Sequence, residues 1–403
     1  MEKTVNKNIK IAVVTPWFGI DIPGGAEAEI RELVFKLFEY GVNVEVLTTC
    51  VKDFTCDWGK NYYAEGVFLE NEVSVHRFKV RKRDAQAFDK VNVKLMNSEM
   101  PLTLEEERIF FNEMINSPEL YSYIKKNQNK YDIFLFISYM FGTTYNGMQI
   151  VPEKTVVIPC FHDEAYVHME LLKNAFSKVA GLIYNAKPEK EFIEKIYDLS
   201  NVKQIVMGIG MDTEMHAEAK AFVEKFNLHS PFILYAGRKD AGKNVDVLLR
   251  YFEKYKKRNE NNLQLVLIGG GNIAIPESCK DMIIDLGFVD KQDKYNAYSA
   301  AMLLCQPSTH ESFSLVMMES WLCERPVLVA DGCEVTKNFC NESDGGLYFD
   351  NYPEFEETVN YLLSHPESAN QMGKNGRKYV LEHFDWDVII GKYMEFFSEV
   401  LSL

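Results

Sequence analysis

Short apolar runs alternating with amphipathic helical stretches constrain this chain more than any other feature. Residues 9–15 form a mostly apolar run closed by Pro16, which reads as a buried parallel strand ending in a loop. The loop holds Trp17, Phe18, Pro23, Gly24 and Gly25. Residues 26–40 follow helical spacing, with Ile30, Leu33, Val34 and Leu37 on one face and Gly41 placed as a stop. Residues 42–48 return to strand character, so the opening is a βαβ unit. Strand-like segments recur at 132–138, 155–159 and 180–184, with a helix over 188–197. Such alternation predicts an open parallel sheet covered on both faces. Residues 51–130 mix aromatic and charged side chains without a repeat, and their spacing predicts one helix over 104–126.

A second series follows. Residues 202–207, 232–236, 264–268, 302–305 and 326–330 read as strands, interleaved with helices such as 245–255. The 403 residues exceed one ordinary core and fit two Rossmann-like domains. Apolar residues at 47% and charged residues at 26% are ordinary for a globular enzyme. The first residues lack an apolar signal core, and no window of about 18 apolar residues occurs, so a cytoplasmic protein is expected. Eight cysteines show neither a C-x-x-C pair nor metal-ligand spacing, and Cys160 and Cys305 sit in apolar runs, as reduced core thiols do. A net charge of -15 argues against nucleic acid as a partner. Locally, residues 76–83 hold five cations: Arg77, Lys79, Arg81, Lys82 and Arg83. The plain reading is a strand end leading into a solvated loop; the sharper one is a docking patch for an anionic, lipid-linked acceptor or for the membrane's inner face.

Two elements carry the chemistry. After the strand-like run 232–236 comes Gly237-Arg-Lys-Asp-Ala-Gly-Lys-Asn244, which delivers Arg238 and Lys243 where a helix begins. Two cations there suit a diphosphate. Further on, His310-Glu-Ser-Phe-Ser-Leu-Val-Met-Met-Glu-Ser320 places Glu311 in a loop after a strand and Glu319 about two turns along the next helix. Carboxylates so placed accept hydrogen bonds from sugar and ribose hydroxyls. The plainer alternative puts Glu319 on a solvated helix face and Glu311 at a helix start for its charge alone.

These residues resemble the retaining glycosyltransferases of family four, whose GT-B fold holds a nucleotide-diphosphate sugar between two Rossmann-like domains. The resemblance is strongest over 232–332, weaker over 9–50 and poor over 51–130. It implies that Arg238 and Lys243 hold the donor diphosphate, Glu311 contacts the donor sugar and Glu319 the ribose. Backbone N–H groups of Ser312, Phe313, Ser314 and Leu315 would hold the diphosphate, although the family usually has Gly where Ser314 stands. Backbone groups around Val289 would meet the base. His162, after the strand 156–159, would contact the donor sugar or serve the reacting face. The resemblance further implies front-face attack without a carboxylate nucleophile, with Arg238 and Lys243 standing in for a divalent metal and no cofactor beyond the nucleotide sugar.

Gly24 and Gly25 open a helix directly after the first strand, where backbone N–H groups can approach a phosphate; any strand-to-helix turn also favours glycine. Gly269-Gly-Gly-Asn272 allows the same two readings, and the tight turn suffices. Gly208-Ile-Gly-Met-Asp212 resembles the family's interdomain turn, giving expected domains of 1–207 (acceptor) and 208–384 (donor), with a helix over 385–403 crossing back to the first. Trp17, Phe18 and Arg31, with the 51–130 region, are the expected acceptor side, for a carbohydrate or lipid-linked hydroxyl acceptor. A non-catalytic scaffold of this fold, or a phosphorylase or epimerase built on it, is the competing class; retention of both motifs opposes the scaffold.

Overall fold

The computed structural model describes residues 9–22, 24–97 and 101–402. They fold as two compact units: residues up to Gly210 joined by Asp387 onward, and Met211–Trp386.

The first unit is built on an eight-stranded sheet. Its strands are β1 (Lys10–Val14), β2 (Asn43–Thr49), β3 (Gly66–Glu70), β4 (Val73–Phe78), β5 (Ile133–Ile137), β6 (Thr155–Ile158), β7 (Gly181–Tyr184) and β8 (Lys203–Val206), in the order β3-β4-β2-β1-β5-β6-β7-β8. All neighbours are parallel except the β3–β4 hairpin, whose Asn71 and Glu72 have φ of 46° and 66°, the backbone a tight primed turn demands. β5, β6 and β7 are buried along their whole length, which is why they read as unbroken apolar runs. Chain order reverses between β1 and β5, so the loops leaving those strands diverge and open a crevice.

The second unit has six parallel strands, β9 (Phe232–Ala236), β10 (Gln264–Ile268), β11 (Ile283–Asp285), β12 (Leu303–Gln306), β13 (Val327–Ala330) and β14 (Gly346–Phe349), in the order β11-β10-β9-β12-β13-β14. Here the order reverses between β9 and β12. The helix Pro366–His383 lies against the helix Leu315–Leu322 at near-contact distance: a Cβ on Gly376 would fall 2.2 Å from the Trp321 ring, and one on Gly373 2.0 Å from the Glu324 carbonyl oxygen.

The helix Trp386–Leu401 buries Ile389, Ile390, Tyr393, Phe396, Phe397 and Val400, and from Asp387 it belongs to the first unit. It packs so closely that a Cβ on Gly181 of β7 would lie 2.9 Å from the Phe396 ring. Two chain passages cross at the unit boundary: Met211 N–H donates to the Phe384 carbonyl at 2.7 Å and the Thr213 hydroxyl to Asp385 at 2.5 Å.

Several expectations are corrected. The single helix over 104–126 is two helices, Leu104–Glu113 and Pro118–Asn127. Met114 leaves helical dihedrals, and Ser117 caps the second helix by accepting from Leu120 N–H, with Pro118 in its first turn. The strand near 202–207, assigned to the second series, pairs with β7 in the first sheet. β3, the start of β4, β11 and β14 were not foreseen as strands, whereas the strand end read in the basic run is the end of β4.

Most of the basic run is paired within the chain. Arg77 is 7% exposed and bonded to Glu70 and the Phe18 carbonyl. Lys79 pairs with Glu65, Arg81 with Glu113, and Arg83 lies over the Trp58 and Phe88 rings. The cations are spent on neighbouring segments, and Lys82 is exposed. No described helix is long and apolar enough to cross a membrane.

Candidate functional site

The second unit gathers its charged residues at the strand reversal. β9 is followed by Gly237, with φ of 150°, and the turn after it lays Lys239 N–H on the Gly270 carbonyl at 2.8 Å. A Cβ on Gly269 would sit 2.0 Å from the Gly237 carbonyl oxygen, so Gly269 is glycine because two strand ends touch there. That supports the tight-turn reading of Gly269-Gly-Gly-Asn272. The turn leaves the Arg238 side chain 74% exposed, with Nε 3.5 Å from Asp240. Five residues on, Lys243 precedes the helix Val245–Arg258 and is held by Asn244, whose Nδ2 donates to the Pro307 carbonyl at 3.2 Å.

β12 ends in Gln306 on the other side of the reversal. Lys243 Nζ lies 2.7 Å from Glu311 Oε1, and Gln306 Nε2 donates to the same oxygen at 3.1 Å. The two sequence motifs, 68 residues apart, thus meet in one ion pair, with the Lys243 and Glu311 side chains 24% and 11% exposed. Phe313 is buried against Phe339 and Phe384 and anchors the loop, leaving backbone rather than side chain to any ligand. Ser314 precedes the helix Leu315–Leu322 with φ of 75° and ψ of 76°. Cβ crowds the backbone there, which gives a physical reason for glycine at this position and makes Ser314 strained. Ser312 and Leu315 are half-buried, as is Val289, whose neighbour Phe288 is 86% exposed.

Glu319 is 8% exposed and is no solvated helix residue. Lys294 Nζ bonds one carboxylate oxygen, and the Tyr298 hydroxyl donates to the other at 2.8 Å. Burial, with the Glu319 charge adding, pushes the Tyr298 hydroxyl well above its ordinary value, so it stays a donor. Lys294, Tyr298 and Gln306 escaped sequence reasoning. The first two lie four residues apart on the helix Lys291–Ala300, a spacing that puts them on one face, and that was the available signal.

In the first unit, Gly24 has φ of 137° and caps the helix Gly25–Glu39. A Cβ there would fall 1.9 Å from Glu27 Oε2, whereas one on Gly25 would meet nothing within 4 Å. The Gly24 position is therefore structural, and the surface over Gly25 is open. Trp17 and Phe18 are each 2% exposed. Trp17 donates its indole N–H to Glu27 at 2.8 Å and packs edge-on to Phe141; Phe18 packs on Phe35. Arg31 Nη1 donates to the Ile22 carbonyl at 3.0 Å. Both aromatic rings are framework under the loop, and Arg31 holds the loop's backbone.

His162 is half-buried, and its carbonyl accepts from Glu164 N–H at 2.9 Å. Beneath it lies a buried cluster. Glu29 Oε2 accepts from Asn185 Nδ2 at 3.0 Å and faces the Cys160 thiol at 3.8 Å, while Glu29 Oε1 has no partner among the described residues. Glu189 accepts from the backbone N–H groups of Phe161 and Asn185 at 2.7 and 2.8 Å. Burial raises the Glu29 carboxyl to about 8, opposed by the Asn185 hydrogen bond and assisted by the Glu189 charge. Among the described residues no group of three or more His, Cys, Asp or Glu is arranged to hold a metal ion.

Residues 216–379 match the family of glycosyl transferases group 1. The D-inositol 3-phosphate glycosyltransferase of Corynebacterium efficiens is 28% identical over 192 residues, covering 43% of this chain and 44% of that protein. The chain spans about half the length of the curated relatives it matches. Sucrose-phosphate synthase of Thermosynechococcus elongatus superposes with a TM-score of 0.72 at 16% identity, over 98% of this chain and 99% of that one. Anabaena HepE, solved with UDP-glucose, superposes with a TM-score of 0.67 at 14% identity, over 98% and 99%. The chain has the GT-B fold, and its match to the group 1 family lies within the second unit.

Proposed function

We propose that this protein is a retaining glycosyltransferase that moves a sugar from a nucleotide-diphosphate donor to a hydroxyl acceptor. The observation that carries the proposal is the Lys243–Glu311 pair at the reversal of the second sheet, with the exposed Arg238 side chain on the same turn. That edge is where ligands of open α/β sheets gather.

Charge builds on the diphosphate as the glycosidic bond opens. Arg238 and Lys243, with the backbone N–H groups of the loop from Ser312 to the start of the helix Leu315–Leu322, stabilise that charge. These cations take the neutralising role that a divalent ion serves elsewhere. Glu311, already an acceptor for Lys243 and Gln306, orients sugar hydroxyls. Glu319 takes the ribose, positioned by Lys294 and Tyr298. The base meets the backbone around Val289. The acceptor is assigned to the first unit, His162 serves the reacting face, and the open surface over Gly25 leaves its backbone N–H to a phosphate. Because Trp17 and Phe18 are buried, they shape that surface from below.

The relatives support a nucleotide sugar as donor: one is named for glycosylating inositol phosphate, and one neighbour was solved with UDP-glucose. A carbohydrate or lipid-linked hydroxyl acceptor in a surface-polysaccharide setting fits the same chemistry. The test is release of nucleoside diphosphate from a panel of nucleotide sugars and acceptor extracts, with product anomers read by NMR. Wild type is expected to turn over with retention, and Lys243→Ala to lose at least a hundredfold in turnover, on the order of 3 kcal/mol of transition-state stabilisation. Undiminished turnover in Lys243→Ala, or inversion, would overturn the proposal.

A further inference from the structure

Two buried polar atoms on the segment that carries Glu311 have no partner among the described residues. Gln306 is 4% exposed with Oε1 unpaired, and Ser314 is 7% exposed with Oγ unpaired. Buried polar atoms are otherwise almost always hydrogen-bonded, because losing water without replacement is unfavourable. Ser314 carries a second penalty, a left-handed backbone with φ of 75° that glycine would adopt freely. A residue that is both strained and unpaired gives the fold nothing that glycine would not.

The chemistry of the two atoms narrows what would satisfy them. Gln306 is fixed by Nε2, which donates to Glu311 Oε1 at 3.1 Å, so its Oε1 has a set direction and can only accept. An ionised diphosphate oxygen has no proton to give and would be repelled. A sugar hydroxyl has one. The Ser314 hydroxyl both gives and accepts, so it can pair with a sugar hydroxyl or donate to a phosphate oxygen, and binding of the bare nucleotide separates the two.

We propose that Gln306 and Ser314 are specificity residues for the glycosyl part of the donor: Gln306 Oε1 accepts from one sugar hydroxyl and the Ser314 hydroxyl pairs with another, beside the Glu311 carboxylate. The inference rests on the nucleotide-sugar reading above and adds to it that the site selects an unsubstituted, polyhydroxylated sugar through these two side chains. A site built to hydrogen-bond a hydroxyl discriminates strongly against an analogue lacking it, because its own buried group is then left unpaired.

Calorimetry separates the inference from the reading beneath it. The probes are UDP, GDP, ADP and dTDP, then the glucose, galactose, mannose and N-acetylglucosamine conjugates of whichever nucleotide binds. Gln306→Met keeps length and removes the acceptor together with the Nε2 donor to Glu311, an effect the deoxy conjugates below separate; Ser314→Gly removes the hydroxyl and relieves the backbone. Each variant, melting like wild type or higher, is expected to bind the best conjugate about tenfold more weakly while binding the bare nucleotide within about twofold. For wild type, a deoxy or fluoro conjugate at the contacted hydroxyl is expected to show the same loss, and Gln306→Met to show no further loss with it. Conjugate affinity unchanged in both variants, or nucleotide and conjugate weakened in parallel, would overturn the inference and leave the donor site standing. A folded wild type that binds no nucleotide would sink the functional reading, and the inference with it.

Discussion

Replacing Glu29 with Gln should stabilise the first unit at alkaline pH and leave it nearly unchanged in acid. The Glu29 carboxyl is buried among the Cys160 thiol, Asn185, Glu189 and the Tyr393 ring of the C-terminal helix, with no cation among its hydrogen-bond partners. Burial lifts it from 4.5 to about 8. A carboxyl with a raised pKa holds its proton in the folded state after the unfolded chain has released it. Stability is therefore lost as pH rises from about 4.5 to about 8, and the loss is complete above that. Each pH unit of separation is worth about 1.4 kcal/mol, for a ceiling of about 5 kcal/mol; relaxation and water entry reduce this to between about 2 and 5. Glutamine mimics the protonated acid, with an N–H where Oε1 has no partner, and it takes a charge away from Glu189. Urea unfolding of wild type and Glu29→Gln at pH 5, 7 and 9 measures the difference. The expected gain is under about 1 kcal/mol at pH 5 and rises to several kcal/mol at pH 9. A gain or loss of equal size at all three values would refute the argument, because it would mean that Glu29 releases its proton at the same pH folded and unfolded.

Ser314→Gly is expected to raise stability by about 1 kcal/mol, since φ of 75° no longer opposes a side chain and a buried hydroxyl is removed; scanning calorimetry reads this as a higher melting temperature of the second unit. Gly373→Ala should lower stability by about 3 kcal/mol or more, because the new methyl would lie 2.0 Å from the Glu324 carbonyl oxygen, and the helix Pro366–His383 must back away from the helix bearing Glu319. Chemical denaturation measures it, and an unchanged midpoint would contradict the packing.

Much of the architecture was legible because the central strands are buried on both faces. β5, β6 and β9 are apolar throughout, so no competing helical or amphipathic pattern obscures them. β3 failed for the opposite reason: an edge strand with Val67, Phe68 and Leu69 at 60%, 40% and 72% exposure carries no inward-outward alternation. The break between Glu113 and Pro118 was written in Asn116-Ser117-Pro118, a cap followed by a first-turn proline, and was overridden by the longer helical period around it. At the candidate site, Arg238, Lys243, Glu311 and Glu319 stood out because each is a charge at the end of an apolar strand or on an apolar helix. Gln306 did not, since its role depends on reaching across five residues to Glu311. The pairing within the basic run was hidden because sequence shows charges and not their partners: Glu65 and Glu70 lie at the two ends of β3, and Glu113 ends the helix Leu104–Glu113.

On the proposed reading, the turn after β9 binds a donor diphosphate through Arg238 and Lys243. The most direct test of this is calorimetric titration of UDP, GDP, ADP and dTDP into wild type and Arg238→Ala with a chelator present. One nucleotide is expected to bind wild type and to bind the variant at least about tenfold more weakly, about 1.4 kcal/mol. A folded wild type that binds none of the four, or a variant that binds as tightly as wild type, would contradict it.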